Sequence, residues 1–190
     1  MSPQVGPKSV GHRLRQLRTD RKISVRRLAE LTEFSASFIS QVENGLASPS
    51  INSLERIAAA VGVTLGEFFA VSADREEAGL IVRAAGREQL TSSWSSAQLD
   101  ALAPMTRGRK MEPVLITLEP GGRSGKRPHP HAMEEFAFVL EGEVRLTVGE
   151  EVHDLTAGDA VTITPQQTRA WENAGSAPVR ILVVSSRSPG

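Results

Sequence analysis

The feature that most constrains this chain is a change of hydrophobic period near residue 70. Before it, apolar residues recur at helical spacing: Leu14 and Leu17; Leu28 and Leu31; Phe38, Ile39 and Val42; Leu54, Ile57, Ala58 and Val61; Leu65, Phe68 and Phe69. Such spacing lines one face of a helix and predicts five short helices. Ser24, Ser35, Ser50 and Thr64 stand where helices would begin, each able to accept from an unpaired backbone N–H, and Thr64 with Glu67 forms a capping box. Asn44-Gly45 stops the third helix, and Pro49 separates it from the fourth. After the polar stretch 70–79, the period falls to two. Segments 113–118, 135–140, 144–148, 160–164 and 179–185 alternate as strands, between the turns Pro120-Gly121-Gly122, Glu141-Gly142-Glu143, Gly149-Glu150 and Ala157-Gly158-Asp159. No helical crossover separates them, which predicts an antiparallel sandwich or barrel and not a parallel sheet.

The expected organisation is therefore multidomain α + β. A flexible N-terminal arm spans 1–10, an all-α domain 11–70, a linker 71–80 and an all-β domain 81–187. The Ser-, Pro- and Gly-rich ends, 1–7 and 185–190, are expected to fray.

Composition excludes several functions. The chain has no cysteine, which removes disulfides, thiolate zinc sites, iron-sulfur clusters and cysteine nucleophiles, and fits a cytoplasmic location. Its longest purely apolar runs, 57–61 and 136–140, are far shorter than the roughly 20 residues a membrane helix needs, so no membrane partner is expected. Lys8, His12 and Arg13 lead into no apolar stretch, so no secretory signal is expected either. The 22 basic and 22 acidic residues cancel, but unevenly. Residues 1–72 hold nine bases and six acids, and the rest thirteen and sixteen, giving a +3 head and a −3 remainder. Eight of those nine bases fall between Lys8 and Arg27, with only Asp20 as counter-charge, which focuses positive potential at one end.

The second and third predicted helices, 25–32 and 36–43, are joined by a tight turn around Glu33-Phe34-Ser35, a helix-turn-helix arrangement. The run from Ile23 to Gly45, with Ala47 to Val63 after it, resembles the Cro/repressor-type (XRE family) DNA-binding domain over about residues 11–69. The resemblance implies that Leu28, Ala29, Ile39, Val42, Leu54 and Ile57 are core, and that the third helix enters the major groove of double-stranded operator DNA. Ala36, Ser37, Ser40 and Gln41 match the base-facing positions, with Ser35 and Asn44 at the ends of the same helix. Gln41 suits an adenine edge, Ser37 and Ser40 can donate or accept, and Ala36 offers a methyl to thymine. Ser24 and Arg26 suit phosphate. At the turn position where the family usually has glycine this chain has Glu33, whose left-handed conformation would cost on the order of 1 kcal/mol.

In the second half, His129, His131 and Glu135 are two imidazoles and a carboxylate that could hold a divalent transition metal. The spacing His-x-His-x3-Glu-x6-Gly, preceded by Pro120-Gly121-Gly122, resembles the first motif of the cupins, and 158–173 resembles the second. The resemblance covers about 111–185 and implies a double-stranded β-helix, or jelly roll, around a cavity. It places a histidine four residues before Asn173, where this chain has Arg169. A fixed cation there disfavours a metal. Several readings stay open. Three ligands could hold a Zn, Fe, Ni or Mn ion, although none is required. With no metal, Arg169 could pair with an effector carboxylate or phosphate, or with Glu135. The domain could also only dimerise. The effector pocket would comprise His129, His131, Glu135, Arg169 and Trp171, with Trp94 a further candidate for its wall.

A repressor-type head followed by a cupin resembles a family of bacterial transcriptional regulators. The resemblance implies a cytoplasmic homodimer, not an enzyme, that binds an operator under the control of a small-molecule effector. The alternative is a cupin-type non-haem metal enzyme with a vestigial helix-turn-helix head, similar in layout to hydroxypropylphosphonate epoxidase. That enzyme's triad draws a histidine from the second motif, where this chain has Arg169.

Overall fold

A computed structural model describes residues 4–5, 7–69, 81–87, 89–92, 95–103, 110–125, 128–130 and 133–186. The head consists of α1 (Pro7–Asp20), α2 (Val25–Thr32), α3 (Ala36–Glu43), α4 (Ile51–Ala60) and α5 (Leu65–Phe69). Leu14, Leu28, Ile39, Leu54, Ile57 and Phe68 are fully buried together, so the helical spacing of apolar residues does close into one core. Side chains hold the helix starts. Ser24 accepts from the Arg27 amide at 3.0 Å, Ser35 from Phe38 at 3.0 Å and Ser50 from Ser53 at 3.3 Å. At α5 the capping box is reciprocal: the Glu67 amide donates to Thr64 Oγ1 at 3.1 Å and the Thr64 amide to Glu67 Oε2 at 3.0 Å. α1 crosses α3 so closely that a Cβ on Gly11 would stand 2.3 Å from the Val42 carbonyl oxygen.

The strands are β1 (Gln4–Val5), β2 (Gln89–Ser92), β3 (Ala97–Ala101), β4 (Met111–Leu118), β5 (His129–Pro130), β6 (Glu135–Glu141), β7 (Glu143–Val148), β8 (Glu151–Thr156), β9 (Ala160–Ile163), β10 (Thr168–Glu172) and β11 (Val179–Ser186). They form a seven-stranded sheet ordered β1-β2-β3-β4-β11-β6-β9 and a four-stranded sheet ordered β5-β10-β7-β8. The inward residues Ile116, Leu118, Ala137, Val139, Val144, Leu146, Ile163, Trp171, Ile181 and Val183 share a buried core. This is the expected fold class, an all-α head followed by an all-β sheet domain.

Three local details differ from expectation. The arm assigned to 1–10 is ordered in part: α1 starts at Pro7, a residue suited to a first helical position because its missing N–H would lack a partner there anyway. Gln4–Val5 pairs with Gln89–Leu90, and this pairing is parallel in a sheet that is otherwise antiparallel among the described residues. Finally, β2, β3, β5, β8 and β10 join the strands that alternation alone picks out. The linker 71–80 and the C-terminal residues 187–190 lie outside the described residues.

Candidate nucleic-acid interface and ligand site

The turn between α2 and α3 is built around Glu33, which adopts φ 52° and ψ 29°, the left-handed conformation. The Phe34 amide reaches back to the Ala29 carbonyl at 3.0 Å and the Glu33 amide to Glu30 at 3.3 Å, closing the end of α2 in a Schellman arrangement. Arg56 of α4 then clamps the turn. Its guanidinium donates to the Thr32 carbonyl at 2.5 Å and to Glu33 Oε2 at 2.8 Å, and lies 4.7 Å from the centre of the Phe34 ring. A non-glycine residue is thereby held in a backbone region it does not favour.

This turn leaves one face of α3 open. Ser35, Ala36, Ser37, Ser40, Gln41 and Asn44 are all exposed, while Ile39, Val42 and Glu43 are buried on the opposite face. Three of the six are already engaged, Ser40 among them, its Oγ accepting from the Asn44 side-chain amide at 3.4 Å. Ser35 Oγ caps α3, and the Asn44 amide donates to the Ser40 carbonyl at 2.8 Å while its oxygen accepts from Arg15 at 2.8 Å. Ser24 and Arg26 are exposed at the start of α2, with Ser24 Oγ accepting from the Arg27 amide. Gln41, Ser37 and Ala36 remain as a polar and methyl surface of the kind that reads base edges.

The basic cluster is arranged differently from what its sequence suggests. Arg18 donates to both carboxylate oxygens of Glu43, at 2.5 and 3.0 Å, and Arg15 adds a third contact at 3.2 Å. These bonds raise the Arg18 pKa above its ordinary value, and they fasten α1 to α3. Arg13 donates to the carbonyls of Phe68 and Glu67, Arg21 to Leu17, and Arg27 pairs with Glu30. Much of the positive charge at this end therefore holds the head together. Arg26 and Lys22 are exposed without an ion pair among the described residues.

In the sheet domain, Glu135 on β6 and Arg169 on β10 belong to different sheets and meet between them, each about 2% exposed. Arg169 Nε and Nη2 donate to the two carboxylate oxygens of Glu135, the Nη2 bond at 2.7 Å, and Ser185 Oγ adds a bond at 3.2 Å. The same Arg169 Nη2 donates at 3.1 Å to Glu55 of α4, a residue 114 positions away in the head. Burial acts to lower the Arg169 pKa, but the charges and hydrogen bonds of Glu55 and Glu135 outweigh it and hold the pKa above its ordinary value, so the guanidinium stays charged. Trp171, two residues along the same strand, is buried in the core, and its indole N–H has no hydrogen-bond partner among the described residues.

These contacts bear on the metal ligands expected from sequence. Glu135 presents both oxygens to a buried guanidinium, an arrangement that does not fit a carboxylate ligand of a resident metal ion. His129 is described by its backbone only, which pairs with that of Arg169; His131 and Trp94 lie outside the described residues. Among the described residues no group of three His, Cys, Asp or Glu side chains could hold a metal. Glu55 is not legible as a site residue from sequence, because it sits in α4 with no motif of its own and finds its partner only through the tertiary fold.

Comparison with known proteins agrees with this architecture. A helix-turn-helix domain model matches residues 9–68 and a cupin domain model residues 114–185. The HTH-type transcriptional regulator PuuR of Escherichia coli is 29% identical over 172 residues, covering 90% of this chain and 91% of that protein. The crystal structure of an HTH_3 family transcriptional regulator from Vibrio cholerae superposes with a TM-score of 0.76 at 22% identity, over 96% of this chain and 97% of that one. Hydroxypropylphosphonic acid epoxidase from S. wedmorenis shares the fold more distantly, with a TM-score of 0.50 at 21% identity over 96% of this chain and all of that one. The chain thus joins a helix-turn-helix domain to a C-terminal cupin domain and is homologous over nearly its whole length to the HTH-type transcriptional regulator PuuR.

Proposed function

We propose that this protein is a cytoplasmic homodimeric regulator, not an enzyme, which binds a near-palindromic operator through α3 and answers to a small molecule taken up by the cupin. The observation that carries this reading is the exposed face Ala36, Ser37, Ser40 and Gln41, presented by a helix whose opposite face is locked into the core. Gln41 reads a base edge, while Ser24, Arg26 and the amides of the helix starts meet phosphates. Ser35 and Asn44 contribute from the two ends of α3, within the limits of the bonds they already make. A −3 cupin is repelled by the duplex that the +3 head approaches, which keeps it clear of the DNA.

Dimerisation is supported by the outward face of the seven-stranded sheet. There Phe136 and Leu140 of β6 are 44% and 46% exposed, and half-buried Phe138, Leu182 and Val184 lie beside them. Apolar surface of this kind marks a contact with a partner, and a two-fold dimer would match the symmetry of the operator. The effector site comprises His129, His131, Glu135, Arg169 and Trp171. Arg169 makes an organic effector the better occupant than a Zn, Fe, Ni or Mn ion.

Duplex DNA spanning the promoter of the protein's own gene, titrated at several salt concentrations, tests the reading. Binding should weaken steeply with salt; Arg26→Ala should weaken all sequences alike and lower the salt slope by about one, and Gln41→Ala should relax sequence preference. Equal binding to promoter and unrelated duplex rejects the assignment. The epoxidase-like alternative predicts dioxygen-dependent turnover after iron reconstitution, abolished by His131→Ala.

A further inference from the structure

We propose that Glu55, Arg169 and Glu135 form a latch between the two domains, by which the interior of the cupin sets where the DNA-binding head can stand. The inference rests on the regulator reading for its purpose, but on contacts for its substance. The Asn52 amide, in the first turn of α4, donates to the Ser124 carbonyl at 3.0 Å, so a helix end that would otherwise face water is closed by a cupin loop. That loop comes close: a Cβ on Gly125 would stand 2.7 Å from the Asn52 side-chain nitrogen. Ser124 is itself tied to β10, its amide donating to the Trp171 carbonyl at 2.9 Å and its hydroxyl accepting from the Trp171 amide at 3.0 Å. One turn along α4, Glu55 meets Arg169, also on β10. Two contacts from one helix thus converge on one strand.

The latch is asymmetric, and the asymmetry says which arm opens. Glu135 has both oxygens bonded, to Arg169 and Ser185. Glu55 accepts a single hydrogen bond from Arg169, at 3.1 Å through Oε1, while its Oε2 is buried without a hydrogen-bond partner among the described residues. Separation of the domains returns that oxygen to water, whereas separation of Arg169 from Glu135 would strand charges inside the barrel. A change in the cupin interior that draws Arg169 away from α4 therefore frees the head and leaves the cupin core intact. α4 carries the consequence to the recognition helix, because the next residue, Arg56, grips the turn before α3. An effector acts on such a latch only through unequal affinity for its docked and released arrangements.

Amide hydrogen exchange on the full-length protein without DNA tests this, because the Asn52 amide is protected by the cupin and the Ile39 amide by the head's own core. Glu55→Gln should speed exchange at Asn52 about tenfold and leave Ile39 unchanged. Arg169→Lys keeps a cation for Glu135 but loses the fork that reaches α4, and should do the same. The double variant should add little to either. Unchanged exchange at Asn52 in both single variants overturns the latch, as does full additivity. If Glu55→Gln also loses protection at Ile39, the head itself has opened and Arg169→Lys alone decides. Loss of operator binding is a separate result and changes none of these readings.

Discussion

Glu55 and Arg56 are consecutive on α4 yet hold different domains: Glu55 accepts from Arg169 of the cupin at 3.1 Å, and Arg56 donates to Thr32 and Glu33 of the helix-turn-helix at 2.5 and 2.8 Å. Neighbouring positions on a helix project in different directions, so a single helix can face the recognition turn and the cupin together. The rigid element between the two sites is thus short, and its contacts are open to substitution one at a time.

Arg169→Met should destabilise the cupin by about 3 to 5 kcal/mol, because it removes the buried guanidinium that donates to both oxygens of the buried Glu135 carboxylate. Combining it with Glu135→Leu should recover most of that loss, since an apolar pair removes the charge inside the barrel and the remaining carboxylate, Glu55, lies at the domain boundary, where separation returns it to water. Urea unfolding of the three proteins checks this; a double variant no more stable than Arg169→Met means that the pair does not act as a unit.

Glu43→Ala should destabilise the head by about 3 kcal/mol. Its side chain is 3% exposed and receives Arg15 and Arg18 from α1, so removal leaves Arg18, only 12% exposed, without its partner. Thermal unfolding followed by helical circular dichroism should show the loss. An unchanged midpoint means that these arginines are free for phosphate instead.

Glu33→Gly should leave the head as stable as before or up to about 1 kcal/mol more stable, because relief of the left-handed backbone outweighs an ion pair whose carboxylate is 85% exposed. Glu33→Val should destabilise it, since a β-branched residue tolerates that conformation worst. Denaturation midpoints of the two variants in opposite directions are the expected sign.

Asp159 accepts from the Thr156 amide at 2.7 Å and from its hydroxyl at 3.0 Å, and those bonds, the backbone one first, lower its pKa from the ordinary aspartate value. The charged form is therefore favoured by folding. The stability it lends is complete above the ordinary aspartate pKa and is lost as pH falls through the lowered folded value. Asp159→Asn should flatten that part of the acid limb in unfolding curves measured across it, and an unaltered acid limb speaks against the contact.

The head is legible in the sequence because its signals agree: helical period, serine caps, the capping box and a tight inter-helix turn all select the same boundaries. The cupin is legible where apolar alternation is clean, as in β6 and β11, and obscure where it is not. In β10 the inward residues are Arg169 and Trp171, so a charged side chain stands where alternation requires an apolar one. β8 is an edge strand with most of its residues exposed, leaving no buried face to generate a pattern. The bonding of Arg15 and Arg18 to Glu43 is hidden for a different reason. A run of bases reads alike whether it faces phosphate or a buried carboxylate 25 or 28 residues away. Arg169 itself was legible as a departure from the cupin pattern, with Glu135 among its expected partners; Glu55 was not, since nothing local distinguishes it from a solvated helix residue.

Selection of bound duplexes from a random-sequence pool by the full-length protein tests the central assignment most directly. The account predicts enrichment of a near-palindrome whose half-sites lie about one helical turn, roughly 34 Å, or a multiple of it apart. The preference should be lost in Gln41→Ala and kept, at weaker binding, in Arg26→Ala. A pool that emerges without an enriched sequence, or an enriched sequence indifferent to Gln41→Ala, contradicts it.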